Sequence, residues 1–315
     1  MLSSRPVVWV AMATYQGKKY LESQVRSVLT QEGVDVHLVV SDDGSTDGTR
    51  EWLADVAARD SRVTLLPPRG GEPGVAANFM YAFDNLQVEE GQFAAFADQD
   101  DIWWPGKLRT QVEFLRDEDA DAVSSNVLAF TRRGGTVRKE VLRKDQDQVA
   151  WDYIFEAPSA GSTFVLTFEA WRLIVGYQRR WGVEGVALHD WFTYVVVRAA
   201  GMKWAIDPRP HVAYRQHSQN ALGAHKGPRA ALTRFLKLRS GHYREQFLVA
   251  AEVARRVGTQ VDRPQAWLDD LGGLRRDLED LSAKGRLGVL RRAGQIRRKR
   301  SDQVLLAGAC ILGVW

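Results

Sequence analysis

The sequence is poor in cysteine and has no long apolar run. Cys310 is the single cysteine among 315 residues, which excludes an intramolecular disulfide and a cysteine-based metal cluster. Such cysteine usage fits a reducing compartment. No segment reaches the roughly 18 uninterrupted apolar residues of a membrane-spanning helix, and the first residues lack the basic region and cleavage site of a signal peptide. We therefore expect a cytoplasmic protein without a transmembrane segment.

Two glycine-rich nucleotide-binding motifs are also missing. The first predicted strand is not followed by a Gly-x-Gly-x-x-Gly sequence, and no Gly-x-x-x-x-Gly-Lys-[Ser/Thr] sequence occurs. These absences argue against a nicotinamide dinucleotide site and against a P-loop. A nucleotide held by carboxylates and a metal ion remains compatible with the sequence.

The net charge of +4 is unevenly distributed. Residues 226–315 contain 19 basic and 9 acidic residues, whereas the preceding part is mildly acidic. Within this tail, residues 284–300 are rich in basic side chains and residues 304–315 are almost entirely apolar. Two interpretations fit the pattern. The tail lies on an anionic membrane surface, at the inner face of the cytoplasmic membrane, or it packs on the body with solvated basic faces. No nucleic-acid-binding motif accompanies the charge, so we expect no nucleic-acid partner.

Short apolar runs alternate with segments of helical periodicity. Strands are predicted at 7–13, 36–40, 62–66, 93–97, 121–130 and 161–168, and the first three helices at 18–30, 49–58 and 75–86. The alternation predicts the α/β class, with a doubly wound, mostly parallel sheet and helices on both faces. From residue 227 the sequence becomes helix-forming and arginine-rich. We therefore predict a domain at 1–226 and a helical C-terminal extension at 227–315.

Carboxylates follow the apolar run at 93–97 and include Asp98, Asp100 and Asp101. Like charges at this density repel, and a Mg²⁺ or Mn²⁺ ion would neutralise them with oxygen ligands. The alternative is a solvated acidic turn, with Asp101 as the N-cap of the next helix. Polar clusters also follow the first two predicted strands, at 14–15 and 42–43. Ligands of such sheets bind beyond the carboxyl ends of the strands, where these clusters would meet.

Two later residues have both a structural and a functional interpretation. Asp190 begins a predicted helix, where the helix dipole favours a carboxylate, but it is also a candidate general base. His217 lies in a polar run, and an isolated histidine is more often structural than a ligand.

Five short motifs, taken in order, resemble family-two glycosyltransferases, which are inverting enzymes of the GT-A fold. The motifs are ATYQG at 13–17, SDDGSTDGT at 41–49, FADQDDIWWP at 96–105, HDW at 189–191 and YRQH at 214–217. The resemblance covers roughly residues 5–225. The motif sequences are similar to those of bacterial polysaccharide enzymes, many of them rhamnosyltransferases. Gln16 stands where many relatives have Asn, and the loop at 131–160, expected to face the acceptor, cannot be aligned by inspection.

The resemblance implies roles for individual residues. The residues that would contact the nucleotide are Thr14, Tyr15, Asp43 and Asp98. The residues that would hold a Mg²⁺ or Mn²⁺ ion are Asp100 and, at the metal or phosphate site, His217. Asp190 would be the catalytic base. The residues that would shape the donor and acceptor pocket are Asp101, Trp103, His189 and Trp191.

The expected function is inverting transfer of a sugar from a nucleotide-diphosphate sugar, such as dTDP-rhamnose or a UDP-sugar, to a glycan or lipid-linked acceptor. A sugar nucleotidyltransferase is an alternative, but it would normally carry a glycine-rich basic loop after the first strand. A non-catalytic membrane-associated scaffold would explain the tail. Such a scaffold would not need three polar clusters at strand ends.

Overall fold

The computed structural model describes residues 5–133, 136–216, 236 and 239–313. His217 lies outside these residues. The strands are β1 (Val7–Thr14), β2 (Asp35–Asp42), β3 (Val63–Leu65), β4 (Phe93–Ala97), β5 (Ile102–Trp103), β6 (Ala122–Ser125), β7 (Val127–Arg133), β8 (Thr136–Leu142), β9 (Val165–Thr167), β10 (Trp204–Asp207) and β11 (Val212–Arg215). The helices are α1 (Lys18–Leu29), α2 (Thr49–Arg59), α3 (Val75–Asp84), α4 (Lys107–Asp117), α5 (Asp152–Phe155), α6 (Phe168–Trp181), α7 (His189–Ala199), α8 (His242–Gln260), α9 (Gln265–Glu279), α10 (Ala283–Arg291), α11 (Ala293–Ile296) and α12 (Arg300–Leu312).

Seven strands form the larger sheet, in the order β10-β6-β9-β4-β1-β2-β3. Neighbouring pairs are parallel, except that β9 runs antiparallel to β4 and β6. The mostly parallel sheet confirms the predicted fold class. Met12 in β1 lies opposite Val40 in β2 and Ala97 in β4. The carboxyl ends of these three strands therefore meet at one edge of the sheet.

Side chains alternate along β1, so the strand presents apolar residues to both faces of the sheet. Helices cover both faces. Val10 and Met12 belong to one apolar cluster, which includes residues of α1 and α4. Ala11 and Ala13 belong to the opposite cluster, which includes residues of α3, α6 and α7. Strands β1 and β4 are apolar and almost wholly buried, as expected for central strands covered on both sides.

A second, four-stranded sheet has the order β5-β11-β7-β8. The single strand predicted at 121–130 is wrong, because the chain leaves the large sheet after β6 and enters the small sheet as β7. Asn126 lies at the junction, where its Nδ2 donates to the Pro208 carbonyl over 2.7 Å and its Oδ1 accepts from the Lys144 N–H over 2.5 Å. The strand predicted at 161–168 is instead a 3₁₀ turn followed by the short β9.

The C-terminal helices pack on the α/β body and share its apolar core. Phe247 of α8 packs with Phe155 and Trp191 of the body, at ring-centroid distances of 4.6 and 5.8 Å. The Trp151 indole N–H also donates to Asp270 of α9 over 2.9 Å. Within the described residues, no helix is both long enough and apolar enough to cross a bilayer.

Candidate active site

A cleft of about 1230 Å³ opens at the carboxyl edge of β1, β2 and β4. Its floor and walls combine strand ends, the starts of α3 and α7, and the segment that follows β8. Of the residues predicted from sequence, the lining includes Thr14, Tyr15, Asp43, Asp98, Asp100, His189, Asp190 and Trp191. The strand-end clusters and the acidic residue of the HDW motif therefore face one common space.

The turn after β1 is joined to the segment after β4 by a side-chain amide. The Gln99 Oε1 accepts from the Tyr15 N–H over 2.9 Å, and the Gln99 Nε2 donates to the Tyr15 carbonyl over 3.0 Å. Gly17 lies directly against this amide, and a β-carbon at Gly17 would overlap it. The phenol ring of Tyr15 is 55% exposed at the cleft, so its face is available to a ligand.

The two aspartates that end β2 have different surroundings. Asp42 is buried and accepts from the hydroxyl of Thr14 over 2.9 Å and from the N–H of Ser45 over 3.0 Å. Asp43 lines the cleft, where it accepts from Arg69 over 2.8 Å and from the Gly74 N–H over 2.7 Å. Asp42 is thus structural, whereas Asp43 links the cleft to the loop before α3.

Mutual repulsion is strong among the carboxylates after β4. Burial raises the pKa of Asp98 well above its usual range, and the charges of Asp101, Asp100 and Asp190 raise it further. A divalent cation would relieve this repulsion. Among the described residues, no three ligating side chains are already grouped around one point. Two carboxylates nevertheless suffice for Mg²⁺, which takes further ligands from substrate phosphates and water. The donor set at Asp98 and Asp100 therefore fits a metal that arrives with a diphosphate.

Two residues predicted to shape the pocket lie away from it. Asp101 is fully buried and accepts from the Ser162 hydroxyl over 2.8 Å and from the Arg215 N–H over 3.1 Å. Trp103 is 2% exposed, and the Lys107 ammonium lies 3.9 Å from the centroid of its ring. Neither lines the cleft. The structure therefore corrects both assignments: Asp101 fastens the turn after β4, and Trp103 is a core residue. Asp101 is also not a helix cap, because α4 begins after Gly106.

Asp190 lies at the first turn of α7 and faces the cleft. Its Oδ1 accepts from the Trp191 N–H over 2.7 Å. Burial raises the pKa of Asp190 to about 6, against the opposing effects of this N–H and of the Lys144 charge. A carboxylate with this pKa is mostly ionised at neutral pH and is more basic than an exposed aspartate, as a general base requires.

His189 is a neutral, buried part of the cleft wall. Its ring stacks on Phe79 with a centroid distance of 3.6 Å, and burial lowers the pKa of His189 to about 3. Gly161 lies so close to the His189 Nε2 that a β-carbon there would overlap it. Trp191 is anchored because its indole N–H donates to the Tyr153 carbonyl over 2.8 Å. His189 is therefore held in place by packing, and Trp191 by a hydrogen bond.

Several lining residues had no individual sequence prediction, namely Gln99, Lys144, Ser159, Gly161 and Phe79. Gln99 lies between the two aspartates of a recognised motif, so its position was a usable signal. Lys144 and Ser159 fall in the loop at 131–160, which none of the five motifs includes. No local pattern in the sequence marks either of them.

The fold and the cleft define a glycosyltransferase of the nucleotide-sugar-dependent α/β class. The family model "Glycosyl transferase family 2" matches residues 9–168, and the chain belongs to this family. It is 30% identical over 312 residues to the dTDP-rhamnosyl transferase RfbG of Shigella flexneri, covering 96% of this chain and 100% of that protein. The predicted family and the assignment as a glycosyltransferase are confirmed.

Solved structures also resemble the chain. Residues 1–349 of S. aureus TarS in complex with UDP align over 98% of this chain and 87% of that one, with 13% identity and a TM-score of 0.55. The mannosyltransferase PcManGT from Pyrobaculum calidifontis, in complex with GDP-Man and Mn²⁺, aligns over 99% and 82%, with 19% identity and a TM-score of 0.51. At these identities the likeness establishes the shared fold of glycosyltransferases.

Proposed function

We propose that the chain transfers a sugar from a nucleotide-diphosphate sugar to a glycan or lipid-linked acceptor, with inversion at the anomeric carbon, in cell-surface polysaccharide synthesis. The match to RfbG extends over both proteins almost end to end and favours dTDP-rhamnose as the donor. One observation carries the proposal: Asp98, Asp100 and Asp190 line the same cleft as the Thr14–Tyr15 turn.

The donor would bind across the edge of the sheet. Tyr15 offers an exposed ring to the base, and Asp43 lies at the same edge, where it would contact the base or ribose. Asp100, together with Asp98, would hold a Mg²⁺ or Mn²⁺ ion against the diphosphate. When bound, this ion would neutralise negative charge that develops on the leaving diphosphate. His217 stays a prediction for the same site.

Asp190 would act on the acceptor. Its carboxylate accepts the proton of the acceptor hydroxyl while that oxygen attacks the anomeric carbon from the side opposite the leaving diphosphate, which inverts the configuration. The Trp191 N–H holds the Asp190 carboxylate in place, and the packed rings of His189 and Phe79 form the adjoining wall.

A panel of nucleotide diphosphates and their sugars, tested by thermal shift with and without Mn²⁺, would examine the donor assignment. We expect the largest stabilisation from dTDP-rhamnose or TDP, and only with the metal. Slow release of TDP from dTDP-rhamnose in water would then show that the cleft activates this donor. Stabilisation by a nucleoside triphosphate and a sugar phosphate, without effect of the diphosphate sugar, would instead favour the nucleotidyltransferase alternative.

We further propose that the C-terminal helices rest on an anionic membrane surface. Helix α12 buries Leu306 and Cys310, whereas Val304, Leu305, Ile311 and Leu312 are 70–77% exposed along its outer side. Apolar side chains at this spacing form a stripe suited to the interface of a bilayer.

The basic residues of this region divide into two groups. Arg292 and Arg298 are used internally, in ion pairs with Asp270 and Glu156. The second group forms no ion pair within the described part of the chain. It consists of Lys284, Arg286, Arg291, Lys299 and Arg300. Unpaired cations beside an apolar stripe attract anionic headgroups.

Vesicle flotation of the full chain tests this surface. We expect flotation with vesicles that contain phosphatidylglycerol, weaker flotation with phosphatidylcholine alone, and loss at high salt because charges are screened. Leu305→Glu should abolish flotation, whereas Val137→Glu, at an exposed valine on β8, should not. Equal flotation of Leu305→Glu and the unaltered chain would contradict the proposal.

A further inference from the structure

Two lysines are found among the described residues that line the cleft, and they lie in different parts of it. Lys19 follows the Thr14–Gly17 turn at the proposed nucleotide end. Lys144 follows β8, and its charge acts on Asp190. The charges that act on Asp98 come from Asp101, Asp100 and Asp190. Lys144 therefore lies in the cleft near the proposed base.

The backbone of Lys144 is held in place by two distant segments. Its N–H donates to the Asn126 Oδ1 over 2.5 Å, at the junction of the two sheets. Its carbonyl accepts from the Arg298 Nη1 over 3.2 Å, between α11 and α12. Arg298 is itself buried and fixed by ion pairs with Asp152 and Glu156. The position of Lys144 beside the cleft is therefore set by the fold and is reinforced by the C-terminal helices.

The Lys144 ammonium is partly withdrawn from water without a close counter-ion. Burial lowers the pKa of Lys144, Glu156 and Asp190 oppose this effect, and Arg298 and Lys299 add to it. Glu156 is already paired with Arg298 over 3.3 Å. No carboxylate lies within 4 Å of the Lys144 ammonium in the part of the chain that the structure describes. Such a cation is stabilised when an anion binds beside it.

We propose that Lys144 binds a phosphate or diphosphate group of the acceptor, close to the hydroxyl that Asp190 deprotonates. This inference rests on the proposed function, because the base defines the acceptor side of the cleft. Ammonium and phosphate form strong charge-assisted hydrogen bonds. Val127, Leu142 and Tyr214 also line the cleft and offer apolar surface to the rest of an acceptor. A lipid-linked diphosphate sugar combines these two features.

Decyl diphosphate is a soluble probe for this site. Its affinity for the full chain, loaded with TDP and Mg²⁺, can be measured by ligand-observed NMR titration. We expect Lys144→Met to weaken binding at least tenfold, because the substitution removes a charge-assisted hydrogen bond to the phosphate. Lys144→Arg should retain most of the affinity. Lys139→Met is the matched control, because Lys139 is an exposed lysine of the same hairpin outside the cleft.

Three results would overturn the proposal. The first is unchanged binding of decyl diphosphate to Lys144→Met. The second is a tenfold loss of TDP affinity in Lys144→Met, which would assign the lysine to the donor. The third is that inorganic phosphate or glucuronate binds as tightly as decyl diphosphate. Lys144 would then be assigned to a free anion or to the carboxylate of a sugar. Failure of the proposed function has a separate sign, namely that TDP does not bind to the unaltered chain. The decyl diphosphate titration can then still be made on the free protein.

Discussion

Asp190→Asn should make the protein more stable while it removes activity. The substitution keeps the shape of the side chain and the oxygen that accepts from the Trp191 N–H. It removes a charge that burial disfavours, since the pKa of Asp190 rises from 3.8 to about 6. At 1.36 kcal/mol per pH unit, this difference corresponds to about 3 kcal/mol of free energy of unfolding. Because water in the cleft screens part of the effect, we expect a gain of about 1–3 kcal/mol.

The sign of the effect follows from proton binding. A carboxyl whose pKa is higher in the folded protein binds more protons there than in the unfolded chain between pH 4 and 6. The unaltered protein therefore loses stability from Asp190 as the pH rises through this window, and the loss persists above pH 6. Asp190→Asn does not lose this stability, because asparagine does not ionise. The two proteins should be equally stable near pH 4, and the variant should be more stable at pH 7.

Urea unfolding of the metal-free proteins at pH 4, 5, 6 and 7 measures this difference, and donor turnover at pH 7 should fall by ~10²–10⁴. Asp207→Asn is a control in which the change in stability at pH 7 should have the opposite sign. Although burial opposes it, hydrogen bonds from His211 and Arg209 lower the pKa of Asp207 to about 2. Removing the Asp207 carboxylate should lower the free energy of unfolding by about 2 kcal/mol at pH 7. If Asp190→Asn lowered stability, or changed it equally at every pH, the assignment of a desolvated base would be refuted.

Four further variants test the donor site and the C-terminal contact. Asp100→Ala should abolish the Mn²⁺-dependent part of TDP binding in calorimetry, and unchanged affinity with Mn²⁺ would contradict its role. Gly17→Ala should lower the melting temperature and weaken TDP binding several-fold, because its β-carbon would displace the Gln99 amide. Shortening that side chain in Gly17→Ala/Gln99→Ala should restore stability in a thermal melt, and no recovery would argue against the clash. Arg298→Met should cost about 3–5 kcal/mol in urea unfolding, because it leaves the buried Asp152 with one arginine fewer.

The sequence predicts the features that depend on short-range periodicity. The apolar runs at β1, β2 and β4 predict buried parallel strands, and the polar residues after them predict the edge where the cleft lies. The prediction fails where the chain changes direction at a single side chain. Asn126 lies between β6 and β7, which belong to different sheets. Its side-chain amide forms hydrogen bonds with the backbone of Pro208 and Lys144. No apolar pattern records such a change, so β6 and β7 are predicted as one strand.

The acidic segment after β4 shows a second limit of the sequence. Asp98, Asp100 and Asp101 have the same chemistry and nearly the same position in the chain. Only the contacts of the turn distinguish them, since Ser162 and Arg215 hold Asp101 in the interior. These partners lie 61 and 114 residues further along the chain. Assigning a role to each carboxylate therefore requires long-range contacts that the motif does not contain.

The same reasoning applies to the base. The HDW motif predicts Asp190 as the base, but the pKa of this carboxyl depends on burial by the wall of the cleft and on the charge of Lys144. Lys144 is in turn placed by Asn126 and by Arg298, which is 154 residues away. The C-terminal helices, which lie beyond the residues matched by the family model, therefore help to position Lys144 at the proposed acceptor side of the cleft. A chain truncated before Arg298 should for this reason lose acceptor-side binding of decyl diphosphate more completely than TDP binding, which we attribute mainly to Tyr15, Asp43 and Asp100.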